Sequence, residues 1–236
     1  MTIDDKDLLN SILDSLARID YIKPEELPNI DLYMDQVTTF MDAQLSVSKR
    51  HPDDKVLTKT MINNYAKNNL LPPPVKKKYS KEHLLALIFI YYFKNILSIG
   101  DIQGILNPIT DQYFAADSDL NLESIYSEVF RLAESEIQNM QKDITRKYHT
   151  SQQTFSELSG DEQERLQRFS FLCMLSFDVY IKKQLIEKLI DAEVFANDKP
   201  AGKHTKTSAE DKSAAKRTKN LSEDKPAGKR TKNQEK

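Results

Sequence analysis

One short segment carries side chains suited to reading duplex DNA. Residues 58–68, "TKTMINNYAKN", have helical periodicity, with Met61, Ile62 and Tyr65 on one half of the predicted helix. The opposite half is polar and carries a single sign of charge: Lys59, Thr60, Asn63, Asn64 and Lys67. Asparagine amides pair with adenine edges in the major groove, and lysines bind guanine or phosphate. The segment is therefore a candidate recognition helix.

A basic segment follows this helix directly. The stretch "NLLPPPVKKKYS", residues 69–80, ends the helix at three prolines, which predict a stiff, extended wing at 75–79. A stiff extension loses less entropy when it docks. The predicted contacts to the DNA backbone are Tyr65, Lys76, Lys77, Lys78, Tyr79 and Lys81. About five neutralised phosphates give a log–log salt slope of about −4 to −5.

The residues themselves leave alternatives open. Tyr65 fits a core aromatic as well as a DNA contact, Asn63 and Asn64 fit turn-forming positions near a helix end, and the lysines at 76–78 fit a solvated loop. A competing function is a helical protein-interaction module whose basic segment and tail bind an acidic partner.

Helical elements must position these residues, because the chain has only five glycines and long mixtures of charged and apolar residues. The run "LLALIFIYYF" at 84–93 is about half the length that spans a membrane, so it predicts a buried core helix and no membrane partner. Hydrophobic spacing and capping residues predict helices over about 4–19, 31–45, 58–68, 81–97, 98–106, 121–148 and 161–196. Asn107-Pro108 is expected to stop the fifth of these.

Charge is strongly segregated along the chain. The net charge is −2, yet residues 198–236 contain twelve Lys/Arg against six Asp/Glu, and residues 48–83 contain nine against three. Such a local excess of positive charge is what a phosphate-binding surface requires. The tail repeats with a period of 13 residues from 198, 211 and 224, and its lack of large apolar residues predicts disorder.

The arrangement resembles the MerR class of winged-helix regulators. "NLLPPP" at 69–74 is similar to the exit of their recognition helix, Lys76 to Lys78 to their wing, and "LSIGDIQGIL" at 97–106 to their next helix. Asn63, Asn64 and Asn69 depart from that pattern, as does the long connection at 46–57. A second resemblance, over about 25–120, is to the Domain of Unknown Function 1836 family through "IDLYMDQVTTFM", "LTKTMINNYAK" and "LLPPPVKKKYS". That family implies no activity.

We therefore expect an all-α protein, with a MerR-like winged helix-turn-helix domain, a C-terminal helical region and a disordered basic tail. The expected divisions are an N-terminal helix (1–24), the DNA-binding domain (25–120), the helical region (121–197) and the tail (198–236). The helix at 121–148 either forms a homodimer or folds back onto the last helix. Residues 149–197 are a candidate region for binding a ligand or a partner, but the sequence identifies no small-molecule effector.

Catalysis, cofactors and metals are not expected. The sequence has no phosphate-binding glycine loop, no nucleophile elbow and no paired-histidine motif. The lone cysteine, Cys173, excludes an intramolecular disulfide and suits packing in a reducing cytoplasm. One predicted loop contains His51, Asp53 and Asp54, which are only a weak candidate set of metal ligands. An acidic N-terminal stretch predicts no signal peptide. These features favour a cytoplasmic transcription regulator acting on double-stranded DNA.

Overall fold

The computed structural model describes residues 5–16 and 21–192, so the 13-residue repeats of the tail lie outside the described residues. The described chain is mainly helical, as expected, with one small two-stranded sheet that was not predicted. Its elements are α1 (Asp5–Leu16), β1 (Leu32–Tyr33), α2 (Met34–Gln44), α3 (Lys59–Lys67), β2 (Lys78–Tyr79), α4 (Lys81–Phe93), α5 (Ile99–Tyr113), α6 (Leu122–Arg131), α7 (Ala133–Ser151) and α8 (Gly160–Asp191).

The centre of the fold is α4, which begins after Ser80. Its residues from His83 to Tyr91 are all buried, because apolar side chains surround the helix and α5, α6 and β2 pack against it. The prediction of a buried core helix at this point is therefore confirmed. No helix in the described part of the chain is both long enough and apolar enough to cross a membrane.

An aromatic cluster fastens α6 to this core. The Tyr126 side chain is fully buried, and its ring contacts Phe89 at 5.4 Å and Phe130 at 4.4 Å between centroids. The Tyr126 hydroxyl donates a 2.7 Å hydrogen bond to the carbonyl of Ile22, which lies 104 residues earlier in the chain. The segment before α2 is thereby tied to α6.

Two predicted helix boundaries are wrong. The fifth helix does not stop at Asn107-Pro108, because α5 continues through Pro108 to Tyr113. Ile102, Leu106 and Thr110 are all buried on one face of α5, and this burial outweighs the hydrogen bond that proline removes. The single helix predicted over 121–148 is instead α6 and α7, which meet near Leu132.

The helices α7 and α8 pack against each other as a hairpin. Lys147 of α7 contacts Asp178 of α8 at 3.0 Å, and Tyr148 contacts Phe171 edge-on. At the connection, the Gln167 amide donates hydrogen bonds to the carbonyls of Gln152 and Thr154. Of the two alternatives for 121–148, the structure therefore shows α7 folded back onto the last helix.

Candidate nucleic-acid interface

Helix α3 has well-formed ends. The Thr58 hydroxyl accepts a 3.2 Å hydrogen bond from the Met61 amide, as its predicted role at the N-cap requires. After the last turn, Asn69 adopts a left-handed conformation with φ of 55°, and the Leu70 amide donates to the Tyr65 carbonyl. Asparagine tolerates this conformation better than most residues, so Asn69 ends the helix where glycine is usual.

The two halves of α3 differ as the sequence predicts. Ile62 is fully buried against the body of the domain. The predicted outward-facing residues are all exposed: Lys59, Thr60, Asn63, Asn64 and Lys67. The two asparagines lie within the helix and not in a turn. Helix α3 therefore presents to solvent a polar surface that carries lysine ammonium groups and asparagine amides.

Tyr65 and Tyr79 do not belong to this surface. Both are buried, at 7% and 3% exposure, and burial raises the pKa of each hydroxyl. Tyr65 packs in the core with Ile62, and Tyr79 lies edge-on to His83. These tyrosines were predicted to contact DNA, but the structure places both in the core, where little of either ring is accessible to a duplex.

The segment predicted to be an extended wing is instead a tight turn. Val75 and Lys78 exchange two backbone hydrogen bonds, of 3.1 and 2.9 Å. Between them, Lys76 and Lys77 both have positive φ, 50° and 63°, as a type I′ turn requires. Asn-Gly is the preferred pair at these positions, and side chains such as lysine are strained there. The turn holds two exposed lysines at its tip at a cost in stability.

The small sheet connects this turn to the start of α2. Leu32 pairs with Tyr79 and Tyr33 with Lys78, and the Lys78 amine lies 5.3 Å from the centroid of the Tyr33 ring. Two residues further on, Asp35 forms an ion pair with Lys59 of α3. The base of the turn and the first turn of α3 therefore both meet the N-terminus of α2.

Two of the predicted contacts are held by the protein's own acids. Lys81 lies 2.8 Å from Glu123 of α6, and its side chain is only 22% exposed. Lys59 pairs with Asp35, but there both side chains are well exposed. In the described residues, Lys67, Lys76, Lys77 and Lys78 form no ion pair.

Contacts with α5 and α4 support the site, and the sequence did not identify them. The Gln103 amide donates a 2.5 Å hydrogen bond to the Asn68 carbonyl at the end of α3. His83 is buried between Tyr79 and Phe114, and its Nδ1 accepts from the Ser80 amide at 3.0 Å. Burial lowers the pKa of His83, although the nearby backbone carbonyl of Pro73 favours the charged form. A long-range contact such as Gln103 to Asn68 leaves no signal in local spacing.

The long connection between α2 and α3 is ordered by local contacts. Lys49 lies 2.8 Å from Asp42 and lowers the pKa of that carboxyl. The Lys94 amine donates to the Val56 carbonyl at 2.6 Å, and the His51 amide donates to the Asp54 carboxylate. Among the residues that the structure describes, no group of three or more potential ligands could hold a metal ion.

Comparison with known proteins gives a family match for this part of the chain. The family described as "Domain of unknown function (DUF1836)" matches residues 22–129, which include α2 to α5 and most of α6. This match supports the family resemblance seen over 25–120. No curated protein and no solved structure shows a significant match to the chain.

Proposed function

We propose that the DUF1836 segment, residues 22–129, is a MerR-like winged helix-turn-helix module that binds double-stranded DNA in transcription regulation. On this proposal α3 enters the major groove, and the turn at 75–78 is the wing that contacts phosphates. Such a role implies a cytoplasmic protein.

The strained turn is the observation that carries the proposal. A turn that served only to connect β2 to the core would be more stable with asparagine and glycine in its two left-handed positions. This chain has Lys76 and Lys77 there instead, both exposed. Strained backbone retained at the tip of a cationic hairpin is typical of a binding site.

The contact set follows from exposure. Major-groove readout is assigned to Thr60, Asn63 and Asn64, since amides and hydroxyls pair with base edges. Phosphate contacts are assigned to those lysines of α3 and the turn that form no ion pair among the described residues: Lys67, Lys76, Lys77 and Lys78. Lys59 can add a contact if it leaves Asp35. Four phosphates give a log–log salt slope of about −3 to −4.

The test is a salt titration of duplex binding. A mixed-sequence duplex is bound to residues 1–197, so that the basic tail contributes nothing, and anisotropy gives the affinity. Lys76→Glu with Lys77→Glu should weaken binding about 100-fold and make the slope less negative by about 2. The matched control is Lys142→Glu with Arg146→Glu on α7, two exposed cations outside the proposed interface; it should retain wild-type binding.

Repeating the titration with the full chain, tail included, separates the competing function. Weak retention that is unchanged in Lys76→Glu with Lys77→Glu, and lost only with the tail, rejects the proposal and favours an acidic partner instead. Mapping binding sites across the host genome would then define sequence preference. Asn63→Ala should relax that preference at one base pair without changing the salt slope.

A further inference from the structure

The turn at 75–78 carries an exposed apolar side chain among its lysines. Val75, the first residue of the turn, is 68% exposed, and Lys76 and Lys77 beside it are also exposed. Val75 pairs with Lys78 across the turn, and Lys78 also pairs with Tyr33 of β1, which is 54% exposed. Residues that pair directly across strands lie on the same face of a sheet. Tyr33, Lys78 and Val75 therefore form one outward row.

The positive charge of this turn is not compensated at its tip. The lysines at 76–78 form no ion pair with any residue that the structure describes. The acids nearest to the turn along the chain lie at its base, where Asp31 precedes β1 and Glu82 lies in the first turn of α4. Asp35 is paired with Lys59. The tip thus presents cations together with one apolar side chain.

This combination of side chains matches the minor groove of DNA. Phosphates on the outside of a duplex are recognised through charge and hydrogen bonds, and a contact with them alone would leave Val75 in water. Proteins that bind the minor groove place cationic side chains in its negative potential and often insert apolar side chains as well. The groove is about 6 Å wide, too narrow for a helix, so only the side chains of a small tip can enter it.

The position of the turn relative to α3 also suits this groove. Lys59 in the first turn of α3 pairs with Asp35 at the N-terminus of α2. Tyr33, two residues earlier, pairs with Lys78 of the turn. The turn therefore lies on the same side of the domain as the N-terminal end of α3. On a duplex, a single backbone strand separates a major groove from the neighbouring minor groove.

We propose that the turn at 75–78 enters the minor groove beside the major groove that α3 reads, and that it selects A·T pairs there. This inference rests on the proposed function, because it requires α3 on the duplex. Val75 packs against the sugars and the floor of the groove, while the lysines at 76–78 stay at its edges and reach the flanking phosphates. A G·C pair adds an amino donor to the groove floor, for which Val75 offers no acceptor.

The test compares the affinity of the full chain for labelled duplexes of alternating I·C and alternating G·C. Inosine lacks the amino group of guanine, so an I·C pair has the major-groove edge of G·C and the minor-groove edge of A·T. Helix α3 therefore meets the same base edges in both duplexes. Wild type should bind the I·C duplex about 10-fold more tightly than the G·C duplex. Equal affinities would overturn the proposal.

A single substitution assigns the preference to the turn. Val75→Ser removes the apolar contact without changing charge, so it should lower the preference for I·C to about 3-fold or less and leave the salt slope unchanged. Val179→Ser is the matched control, because Val179 is 57% exposed on α8, outside the proposed interface. It should keep the wild-type preference. A preference that is unchanged in Val75→Ser comes from another part of the chain and rejects the proposal.

Failure of this inference is distinguishable from failure of the proposed function. Duplex binding that does not respond to Lys76→Glu with Lys77→Glu rejects DNA binding through this surface altogether. Binding that depends on those lysines but does not discriminate I·C from G·C rejects the minor-groove contact alone. Circular dichroism should show that Val75→Ser and Val179→Ser melt cooperatively, since both side chains are mostly exposed.

Discussion

The region from Ile22 to Arg131 and the α7–α8 hairpin are stabilised in different ways. In the first region about two dozen apolar side chains are buried in one cluster around α4. In the described part of the hairpin the buried residues are only Ser151 and Gln167, both polar. The hairpin has almost no core of its own, although it is rich in apolar residues.

The difference shows which interactions set the geometry of each region. Around α4, apolar burial fixes every helix, and the candidate DNA-binding surface lies on the outside of that rigid unit. In the hairpin, side chains such as Gln167 and Lys147 hold the two helices in register. Many apolar side chains of α8 remain exposed.

The largest expected effect comes from matched aromatic truncations in the two regions. Tyr126→Ala removes a fully buried ring and leaves the Ile22 carbonyl without its donor, so it should cost about 3–5 kcal/mol of unfolding free energy. Phe169→Ala, on a side chain 63% exposed, should change monomer stability by no more than about 0.5 kcal/mol. Urea denaturation at low protein concentration measures both. Equal losses would contradict the contrast between the regions.

A smaller effect of opposite sign is expected at the strained turn. Lys76→Asn with Lys77→Gly places preferred residues in two left-handed positions and should stabilise the protein by about 1–2 kcal/mol. The same variant should lose duplex affinity because two positive charges are gone. Thermal melting and anisotropy measure the two properties together. Lys142→Asn with Arg146→Gly on α7 should show the reverse, reduced stability with retained binding, because a glycine within a helix is unfavourable.

The helix caps sharpen the contrast further. Thr58 makes its side-chain hydrogen bond to Met61, so Thr58→Ala should cost about 1 kcal/mol. Ser159 occupies the equivalent position before α8 without a side-chain cap bond, so Ser159→Ala should cost about 0.3 kcal/mol or less. Denaturant midpoints measure both. A larger loss for Ser159→Ala would show that the hairpin depends on its cap more than the structure indicates.

The last prediction compares how buried His83 and an exposed histidine affect the pH dependence of stability. Burial lowers the folded-state pKa of His83 below its ordinary value of 6.5. The folded state therefore favours the neutral form of His83. The stability that this preference contributes is fully present above pH 6.5, and it is lost as the pH falls through 6.5 towards the folded-state pKa. Unfolding free energy should decrease between about pH 7.5 and about pH 5.5, and less so in His83→Gln. His149→Gln, at an exposed position on α7, should keep the wild-type pH dependence.

Local patterns in the sequence predicted several elements well. The outward half of α3, the Thr58 cap and the buried α4 follow from helical periodicity and capping, which depend on residues a few positions apart. The Ser98–Asp101 capping box at the start of α5 is also present, with a 3.2 Å bond in each direction. The MerR-like arrangement and DNA binding remain predictions.

Long-range packing explains the sequence predictions that were wrong. Pro108 predicts a helix end, but burial of Leu106 and Thr110 continues α5. The spacing over 121–148 suits one helix, yet α6 packs on α4 and α7 packs on α8, so the chain bends between them. Tyr65 and Tyr79 have side chains suited to either core or surface, and periodicity did not decide between the two.

The sequence by itself determined where most helices begin and which half of α3 is polar, because those properties depend on side chains within one or two turns. Only the tertiary structure decided that Lys81 pairs with Glu123, that Lys76 and Lys77 form the tip of a strained turn, and that the apolar residues of α8 stay exposed. Each of these depends on which distant segments pack together, and that is settled by burial of the whole core.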